Sequence, residues 1–327
     1  MKKKFLSMAL AILLSVGILC GCQGAKEQDK EETVVRIASL KGPTTMGLLE
    51  LWQRQEEGSA EGNYEFRMMT GADEIMPGMM KGEVDIALLP ANAAAILYEK
   101  SQGTVSVIDI NTLGVLYMVS GDKSIETVED LKGKTIYLTG KGTTPDYALQ
   151  YLLAQHGLDL EEVTLEYKSE ATEVAVLLKE NPNSIGLLPQ PFVTAACMQN
   201  DALAVVLDIN EEWAAFHDGQ GMVTGVTVVR KAFLEEHPEA VDLFLEEHEK
   251  SVQFANENVE EAAEMAVERG IVEKAPVAVK AMPACHITCI TGEEMKAVLS
   301  EYLEILFEQN PEFIGGAIPG DDFYEVR

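Results

Sequence analysis

The stretch VVRIASLKGPTTMGLLELW, from Val34 to Trp52, reads as a β-strand, a Lys-Gly loop with two threonines, and an amphipathic helix. A second stretch, KTIYLTGKGTTPDYALQYLL from Lys134 to Leu153, repeats the same order. The apolar residues change from the spacing of a strand to that of a helix within each copy, on either side of the glycine-containing loop. Each copy therefore predicts a strand–loop–helix unit.

Both copies are followed by a strand that ends in Leu-Leu-Pro. The first is VDIALLP, which ends at Pro90, and the second is SIGLLP, which ends at Pro189. Gly42 and Pro90 are 48 positions apart, and Gly142 and Pro189 are 47 positions apart. Two ordered pairs at matched spacing predict two similar lobes that face each other. A cleft between two lobes is typical of proteins that close on a small molecule.

Beyond these units, short β-rich runs alternate with longer helical stretches, which is the pattern of parallel α/β units. We predict an α/β fold of two lobes, each a mostly parallel sheet flanked by helices. The apolar runs 113–120 and 221–230 are predicted to cross between the lobes as a hinge. The chain after Lys231 is predicted to be nearly all helical and to pack on the first lobe. The predicted lobe boundaries are 34–112 with 228–327 for the first lobe and 113–227 for the second.

Residues 1–21 have the form of a lipoprotein signal peptide. Three lysines precede a mostly apolar run, residues 5–19, that is too short for an ordinary membrane span. The end of this segment, Leu-Cys-Gly-Cys, resembles a bacterial lipobox, so we predict that Cys22 is lipidated and becomes the first residue after cleavage. A plain secretory signal cleaved nearby is the alternative. Residues 22–33 are polar and are predicted to form a flexible tether, because they cannot bury enough apolar surface to fold.

The composition is strongly acidic, with 54 Asp and Glu residues against 25 Lys and Arg residues. The formal net charge is −29, and removal of the three leader lysines makes it −32. This charge argues against a nucleic-acid partner, because nucleic-acid binding depends on cationic contacts to phosphate. It also argues against adhesion to anionic lipid head groups. We therefore expect the lipid to be the only attachment to the membrane.

Candidate ligand-binding residues lie where strands end and helices begin. In open α/β sheets, ligands bind beyond the carboxyl ends of the strands, and unpaired N–H groups of the following helix favour an anion or a polar acceptor. Four loops meet this description, namely 41–45, 89–92, 140–144 and 189–191, and each could instead be an ordinary turn with a routine helix cap. The predicted ligand-binding residues, including weaker candidates after the second strand and at the crossings, are Gly42, Pro43, Thr44, Thr45, Thr70, Gly71, Pro90, Asn92, Asn111, Thr112, Gly140, Lys141, Thr143, Thr144, Pro189, Gln190 and Thr224.

The sequence contains no recognisable catalytic or metal-binding motif. The loop Gly-Lys-Gly-Thr at 140–143 departs from a P-loop, because its lysine is followed by glycine. The segment Cys-His-Ile-Thr-Cys at 285–289 lacks the second Cys/His pair that structural zinc needs. We interpret its thiols as packed side chains, and a disulfide between Cys285 and Cys289 requires that the segment is not helical. With Cys197 the count is odd, so at least one thiol is expected to be free. We predict no catalytic residue, no metal and no cofactor.

Several of these stretches resemble one known family. The stretches LKGPTTMGLLEL, GEVDIALLPANAAAILY, INTLGVLYMV, DLKGKTIYLTGKGTTPDYALQYLL, IGLLPQPFVTAA and IGGAIPGDDFY are similar to segments of solute-binding lipoproteins of ABC importers. The group is that of nitrate, sulfonate and taurine, related to the NMT1/THI5-like domain, and the resemblance covers about 34–324. It implies a type II periplasmic-binding-protein fold and delivery of a solute to a permease whose ATPase is on other chains. It does not select among alkanesulfonates, taurine, nitrate, and aromatic or pyrimidine-type compounds.

From this resemblance we expect a monomeric receptor, lipid-anchored on the extracytoplasmic face of a bacterial membrane, that binds a small polar or anionic solute. Two alternatives stay open. One is an enzyme on the same fold, of the THI5-like or lyase type, which needs an acid or base in the cleft that the four loops do not supply. The other is a sensor that passes ligand occupancy to a membrane receptor instead of a transporter.

Overall fold

Strands and helices alternate through residues 33–327, the part of the chain that the computed structural model describes. The strands are β1 (Val34–Leu40), β2 (Asn63–Met69), β3 (Ile86–Pro90), β4 (Val105–Thr112), β5 (Leu116–Ser120), β6 (Thr135–Thr139), β7 (Thr164–Lys168), β8 (Ile185–Pro189), β9 (Ala204–Asp208), β10 (Gly225–Arg230) and β11 (Ile287–Ile290). The helices are α1 (Pro43–Met46), α2 (Leu49–Glu57), α3 (Ala72–Lys81), α4 (Ala91–Lys100), α5 (Thr144–Gln155), α6 (Ala171–Glu180), α7 (Phe192–Gln199), α8 (Ile209–Ala214), α9 (Lys231–Glu236), α10 (Pro238–Glu257), α11 (Val259–Glu268), α12 (Ala275–Ala281) and α13 (Gly292–Gln309).

These strands form two sheets, as predicted. The first sheet has the order β11-β4-β10-β3-β1-β2, and the second has the order β7-β6-β8-β5-β9. In the first sheet β1 is parallel to β2 and β3, whereas β10 is antiparallel to β3 and β4. In the second sheet β6 is parallel to β7 and β8, whereas β5 is antiparallel to β8 and β9. Both sheets are therefore mixed, and in each the strand next to a crossing runs against its neighbours.

The two crossings meet at one side chain. The chain passes from β4 in the first sheet to β5 in the second through residues 113–115, and it returns to β10 through 215–224. Asn210 Oδ1 accepts hydrogen bonds from Gly114 N at 3.1 Å and from Met222 N at 2.9 Å, so it contacts both segments. Thr224 N also donates to Thr112 O at 3.0 Å. The exact lobe boundaries stay a prediction, because residues 34–327 cluster as one compact unit.

The central strands are buried on both faces, as expected for strands covered by helices on both sides of a sheet. Ile86 to Leu89 of β3 and Ile185 to Leu188 of β8 are buried. Such continuous apolar runs are typical of strands in the interior of a sheet. On the first sheet, Phe244 of α10 packs in a cluster with Ile37 and Leu88. On the second sheet, Val174 of α6 packs in a cluster with Leu188. The helices thus cover the sheets with their apolar faces.

The C-terminal part of the chain differs from its prediction in two respects. It contains the short strand β11, which pairs with β4 at the edge of the first sheet and whose isoleucines favour a strand. It also contacts elements on both sheets. Leu51 N of α2 donates to Ser251 Oγ of α10, as expected for packing on the first sheet. However, Tyr302 of α13 packs edge-on against Trp213 of α8, with ring centroids 5.5 Å apart.

Within residues 33–327, no helix combines the length and the apolar character that crossing a bilayer requires. The predicted signal peptide, the predicted lipidation at Cys22 and all of the tether except Thr33 lie outside the described residues.

Candidate functional site

A cavity of about 560 Å³ opens between helices of the second sheet and the connection from α11 to α12. We call this cavity the groove. One wall is formed by α6 and α7, the opposite wall by residues 270–277, and the loop after β1 contributes Lys41. The lining residues are Lys41, Thr172, Ala175, Val176, Lys179, Pro191, Phe192, Ala195, Ala196, Met198, Gln199, Gly270, Ile271, Val272, Glu273, Lys274 and Val277.

The groove walls are mainly apolar and partly open to solvent. Val176 of α6 and Met198 of α7 are 54 % and 38 % exposed. Phe192 and Val277 also line the groove and are half-buried. Scattered exposed apolar side chains are normal, but a set of them on one concave surface marks a place where a partner or ligand is bound. The groove is thus a candidate binding surface.

The charged residues of the groove are mostly cationic, against the trend of the whole chain. Lys41, Lys179 and Lys274 line it, and Glu273 is the single acidic residue among the lining residues. Acidic residues outnumber basic ones by more than two to one in the sequence. Among the contacts of residues 33–327, the Nζ atom of none of the three lysines has a hydrogen bond or an ion pair. Their ammonium groups are therefore available to an anion.

Four of the predicted ligand-binding residues meet at the ends of β4 and β10. A Cβ added to Gly225 would lie 2.8 Å from Thr44 Cγ2 and 3.3 Å from Thr112 Cβ, so the three chain segments touch here. Thr112 Oγ1 donates to Asn111 Oδ1 at 2.9 Å. The backbone of Thr224 precedes Gly225 and bonds to Thr112 O. The structure thus brings Thr44, Asn111, Thr112 and Thr224 together on the first sheet.

Most hydroxyl groups of this cluster are already engaged. Thr44 Oγ1 donates to Leu40 O at 3.0 Å, and Thr45 Oγ1 contacts Leu40 O and Ser39 Oγ. Thr224 Oγ1 differs, because it is buried and has no partner within residues 33–327. A buried polar group without a partner is unusual in a folded protein and points to a group that binds there. Thr224 Oγ1 is thus the hydroxyl of this cluster that is left without a hydrogen-bond partner.

On the second sheet, the loop between β6 and α5 binds a carboxylate of the chain itself. Asp146 is 3 % exposed, and its Oδ2 accepts from Gly142 N at 2.8 Å. Its Oδ1 accepts from Tyr167 Oη at 2.6 Å, and burial together with this hydrogen bond raises the pKa of Tyr167. Lys141 lies over the Tyr167 ring at 5.3 Å. Since a negative charge is favourable at a helix N-terminus, Asp146 itself supplies a stabilising charge in the first turn of α5.

The remaining predicted residues are spread over several contacts. Gln190 is buried, its N donates to Val115 O, and its Oε1 accepts from Thr194 Oγ1. Thr143 Oγ1 donates to Gly140 O at 2.6 Å, and Thr70 Oγ1 donates to Glu74 Oε1 at 2.5 Å on the exposed end of α3. The other predicted residues end strands or begin helices, and none of them lines the groove: Gly42, Pro43, Gly71, Pro90, Thr144 and Pro189.

A turn near the C-terminus contacts both a loop of the first sheet and a helix of the second sheet. Asn92 Nδ2 reaches Phe313 O at 3.5 Å from the start of α4. The Phe313 ring packs on Tyr147 of α5 with ring centroids 4.3 Å apart, and Asn310 Nδ2 donates to Tyr147 Oη at 2.6 Å. The turn Pro311–Ile314 therefore lies between a loop of the first sheet and a helix start of the second.

The groove itself was not predicted from the sequence, although two of its residues, Lys41 and Pro191, lie in the four predicted loops. Its α6 residues are spaced as one helical face, from Thr172 through Val176 to Lys179, and its α7 residues repeat that spacing. Such a face is typical of helix packing against a core, so the spacing alone does not indicate a binding surface. The available signal was the lysine at the end of an otherwise apolar face.

One group of potential metal ligands lies within the described residues, outside the groove lining. Asp109, His248 and Cys289 each offer one ligand atom, and these three atoms lie within 4.8 Å of one another. His248 Nδ1 already pairs with Asp109 Oδ2 at 3.2 Å, and Thr227 Oγ1 donates to Asp109 Oδ1 at 2.7 Å. Burial raises the pKa of the Cys289 thiol, whereas a metal binds the thiolate. We interpret the group as a hydrogen-bonded core cluster. All three cysteines of the described chain are free, so Cys285 and Cys289 form no disulfide.

The predicted fold is confirmed by solved structures. An ABC transporter protein from Parabacteroides distasonis has a TM-score of 0.77 at 23% identity, over 90% of this chain and 99% of that chain. The periplasmic aliphatic sulphonate-binding protein of Escherichia coli has a TM-score of 0.69 at 16% identity, over 89% and 95%. The periplasmic nitrate-binding protein of Synechocystis has a TM-score of 0.57 at 12% identity, over 86% and 82%. At these identities the likeness establishes the fold.

The family is given by a family model and not by individual relatives. No curated protein matches the sequence significantly. The model of the menaquinone biosynthesis family matches residues 79–307, which is more than two thirds of the chain. This range contains the whole second sheet and every groove residue except Lys41. The chain therefore belongs to the menaquinone biosynthesis family.

Proposed function

We propose that the protein is the solute-binding component of an ABC importer and that it binds a small solute in the groove. The observation that carries this proposal is the groove itself, a 560 Å³ cavity whose two walls come from helices of the second sheet and from the C-terminal part of the chain. Its size is within the range of pockets that bind small molecules. The shared fold supports the proposal, because the matched structures are named as an ABC transporter and as sulphonate- and nitrate-binding proteins.

Binding in such a groove is coupled to closure. A solute that contacts both walls binds the closed form more tightly than the open form, and only this difference in affinity can shift the protein toward closure. The two segments that Asn210 connects are short, which suits a hinge formed by a few residues. We propose that the cluster of Thr44, Asn111, Thr112 and Thr224 forms the polar end of the same site. Lys41 connects the two regions, because it lines the groove and begins the loop that contains Thr44.

The partners follow from the same proposal. We propose that Cys22 carries the lipid, that the protein is a monomer on the extracytoplasmic face, and that it delivers the solute to a permease driven by an ATPase. Mass spectrometry of the protein from membranes tests the anchor, since a lipidated N-terminal Cys22 is expected. An intact leader, or cleavage at another residue, would contradict the anchor without affecting the groove.

A thermal-shift screen of the mature protein tests solute binding. The compounds are alkanesulfonates, taurine, nitrate, bicarbonate and pyrimidines, each at several concentrations. A solute at 100 times its Kd should stabilise the protein by about 2.7 kcal/mol. If a well-folded protein is stabilised by no small solute, the proposed receptor function is wrong.

The family membership favours a second candidate, an enzyme that acts on a compound bound in the groove. Such an enzyme needs an acid or a base at the bound compound, and the groove offers Glu273 and three lysines but no histidine. The test is to incubate the protein with the compound that stabilises it most and to record the mass of that compound. An unchanged compound after many binding cycles supports a receptor, whereas a new product supports an enzyme.

A further inference from the structure

We propose that His286 is a positioning residue that couples the C-terminal wall of the groove to the first crossing between the sheets, residues 113–115. The inference rests on the proposed function, because it concerns how the same groove closes. Three observations carry it. The wall and His286 belong to one short stretch of chain, this stretch is hydrogen-bonded to the crossing, and His286 has an unfavourable backbone conformation.

The groove wall and His286 are close in sequence. The wall residues 270–277 lead directly into α12, the 3₁₀ turn Met282–Cys285 follows, and His286 comes next. The next residue, Ile287 of β11, pairs with Thr112, the last residue of β4 before the first crossing. The stretch therefore begins at the groove and ends at the hinge.

Three hydrogen bonds attach this stretch to the first crossing and to the strand that follows the crossing. Leu113 N donates to His286 O at 3.1 Å, and His286 Nδ1 donates to Gly114 O. Tyr117 Oη of β5 donates to Ala284 O at 2.8 Å. Because a carbonyl oxygen can only accept, the Nδ1 atom of His286 carries the proton. His286 thus binds the backbone of the crossing with both its main chain and its side chain.

The backbone of His286 lies in the left-handed region, with φ 45° and ψ 49°. This conformation is unfavourable for a residue with a Cβ atom, and it persists only where the surrounding contacts hold it. The two hydrogen bonds of His286 to the crossing are such contacts. Displacement of the crossing therefore releases His286 from this conformation, and displacement of His286 releases the crossing.

Packing connects the same stretch to the opposite wall of the groove. Tyr117 and Ala196 of α7 belong to one buried apolar cluster, and Ala284 and Phe192 pack against it. Phe192 and Ala196 also line the groove. Close-packed side chains transmit a displacement to their neighbours. A movement of α7 toward the C-terminal wall thus reaches the atoms that hold the crossing.

Amide hydrogen exchange of the ligand-free protein tests the coupling. The perturbation is Asn210→Ala, because Asn210 accepts from Gly114 N of the crossing and has no hydrogen bond to residues 270–287 within the described chain. Exchange at Ile271 of the groove wall, whose N–H is hydrogen-bonded, should become about threefold faster. The same change made in a His286→Ala protein should leave exchange at Ile271 as it is in His286→Ala alone, because the connection is then absent.

A conservative variant separates positioning from a general structural role. Asparagine tolerates the left-handed region, and its Nδ2 can donate to Gly114 O in place of His286 Nδ1. In His286→Asn, the change Asn210→Ala should therefore again accelerate exchange at Ile271. A residue that only fills space would not show this difference between asparagine and alanine.

Two further variants serve as a milder test and as a control. Tyr117→Phe removes only the hydrogen bond to Ala284 O, so it should reduce the transmitted effect even if His286→Ala does not fold. Asn310→Ala removes a different contact between the two sides, the hydrogen bond to Tyr147 Oη, and should leave exchange at the groove wall unchanged. Exchange in α3, which does not line the groove, reports any general loss of stability.

Three results would overturn the inference. The first is no acceleration at Ile271 in Asn210→Ala, because the wall and the crossing would then be independent. The second is an equal acceleration in the His286→Ala protein, because the coupling would then follow another route. The third is an equal acceleration in α3, because the effect would then be global. No solute takes part in these measurements, so the inference can fail while the thermal-shift screen still identifies a solute, and the reverse.

Discussion

At the scale of single residues, Asp85 is a buried charge that connects three segments of the first sheet. It is fully buried, and its Oδ1 lies 2.7 Å from Arg36 Nη2 and 2.5 Å from Arg230 Nη2. Asp85 Oδ2 also accepts from the backbone N of Arg36 at 3.0 Å. Because Arg36 is on β1 and Arg230 ends β10, one carboxylate connects strands on both sides of β3.

Removing this carboxylate charge should therefore be costly. Asp85→Asn leaves two guanidinium groups without their anion, and breaking a buried pair typically costs 3–5 kcal/mol. Both arginines remain partly exposed, so we expect the free energy of unfolding to fall by about 3 kcal/mol in urea titrations. The control is Asp201→Asn, an exposed acid with no charged partner in the described chain, which should change it by less than about 0.5 kcal/mol. Equal effects of the two changes would contradict the role of Asp85.

The lowered pKa values of Asp85 and Glu247 predict how the free energy of unfolding depends on pH. Burial alone would raise the pKa of each, but hydrogen bonds from Arg36 and Arg230 to Asp85, and from Tyr64, two backbone N–H groups and Arg54 to Glu247, outweigh it and lower both pKa values. A carboxyl whose pKa is lowered by folding stabilises the protein above its unfolded pKa of about 4, and this contribution is lost as pH falls through the folded pKa.

The free energy of unfolding should therefore be nearly constant from pH 7 to about pH 5 as far as these two groups are concerned, and it should fall below about pH 4. Urea titrations between pH 7 and pH 2.5 measure this dependence. In Asp85→Asn the decrease below pH 4 should be smaller than in the unmodified protein. A decrease of the same size would show that Asp85 is not responsible.

At the scale of elements, Asn210 is the residue that holds the two crossings together. Asn210→Ala leaves the N–H groups of Gly114 and Met222 without their acceptor, and each such loss costs about 1–3 kcal/mol when the group stays buried. We expect faster amide hydrogen exchange at Gly114 and Met222 in Asn210→Ala. Asn210→Asp keeps an oxygen that can accept both bonds and should restore most of the protection. Unchanged exchange in Asn210→Ala would show that Asn210 does not hold the two crossings together.

The elements themselves were largely predictable from the sequence. The run Thr144-Pro145-Asp146 predicted the start of α5, and the structure begins the helix at Thr144. The hydrogen bond from Gly142 N to Asp146 Oδ2 was not predictable, because it depends on how the loop between β6 and α5 folds back on the helix. The strand β11 was missed because its four residues are surrounded by helical stretches and pair only with the distant β4.

The candidate site likewise has one part that was predictable from the sequence, the residues that follow strands, and one that was not, the groove. The residues that follow strands were predictable, because the carboxyl edge of a sheet is a general place for ligands. The cluster of Thr44, Asn111, Thr112 and Thr224 meets at such an edge, as the topology suggested. The groove was not predictable, because it needs the contact of α6 and α7 with a segment about 90 residues later in the sequence. Residue spacing within a helix contains no information about that neighbour.

At the scale of the whole molecule, the proposed closure involves regions that are distant in sequence. The groove is lined by α6 and α7 on one side and by residues 270–277 on the other. A solute that closes it should slow amide hydrogen exchange in both regions together. We expect the same compound to leave α3, which does not line the groove, unchanged. Protection of one wall alone would indicate binding without closure.

The edge-on contact of Trp213 with Tyr302 has a practical consequence. The chain has two tryptophans, and the other, Trp52, stacks on Phe66 of β2 at 5.1 Å. Trp52 therefore lies on the first sheet, whereas Trp213 lies where α8 of the second sheet meets α13. Intrinsic fluorescence thus contains one signal from each side. With Trp52→Phe, the emission of Trp213 becomes an optical readout of the place where the C-terminal helix joins the second sheet, and no attached dye is needed.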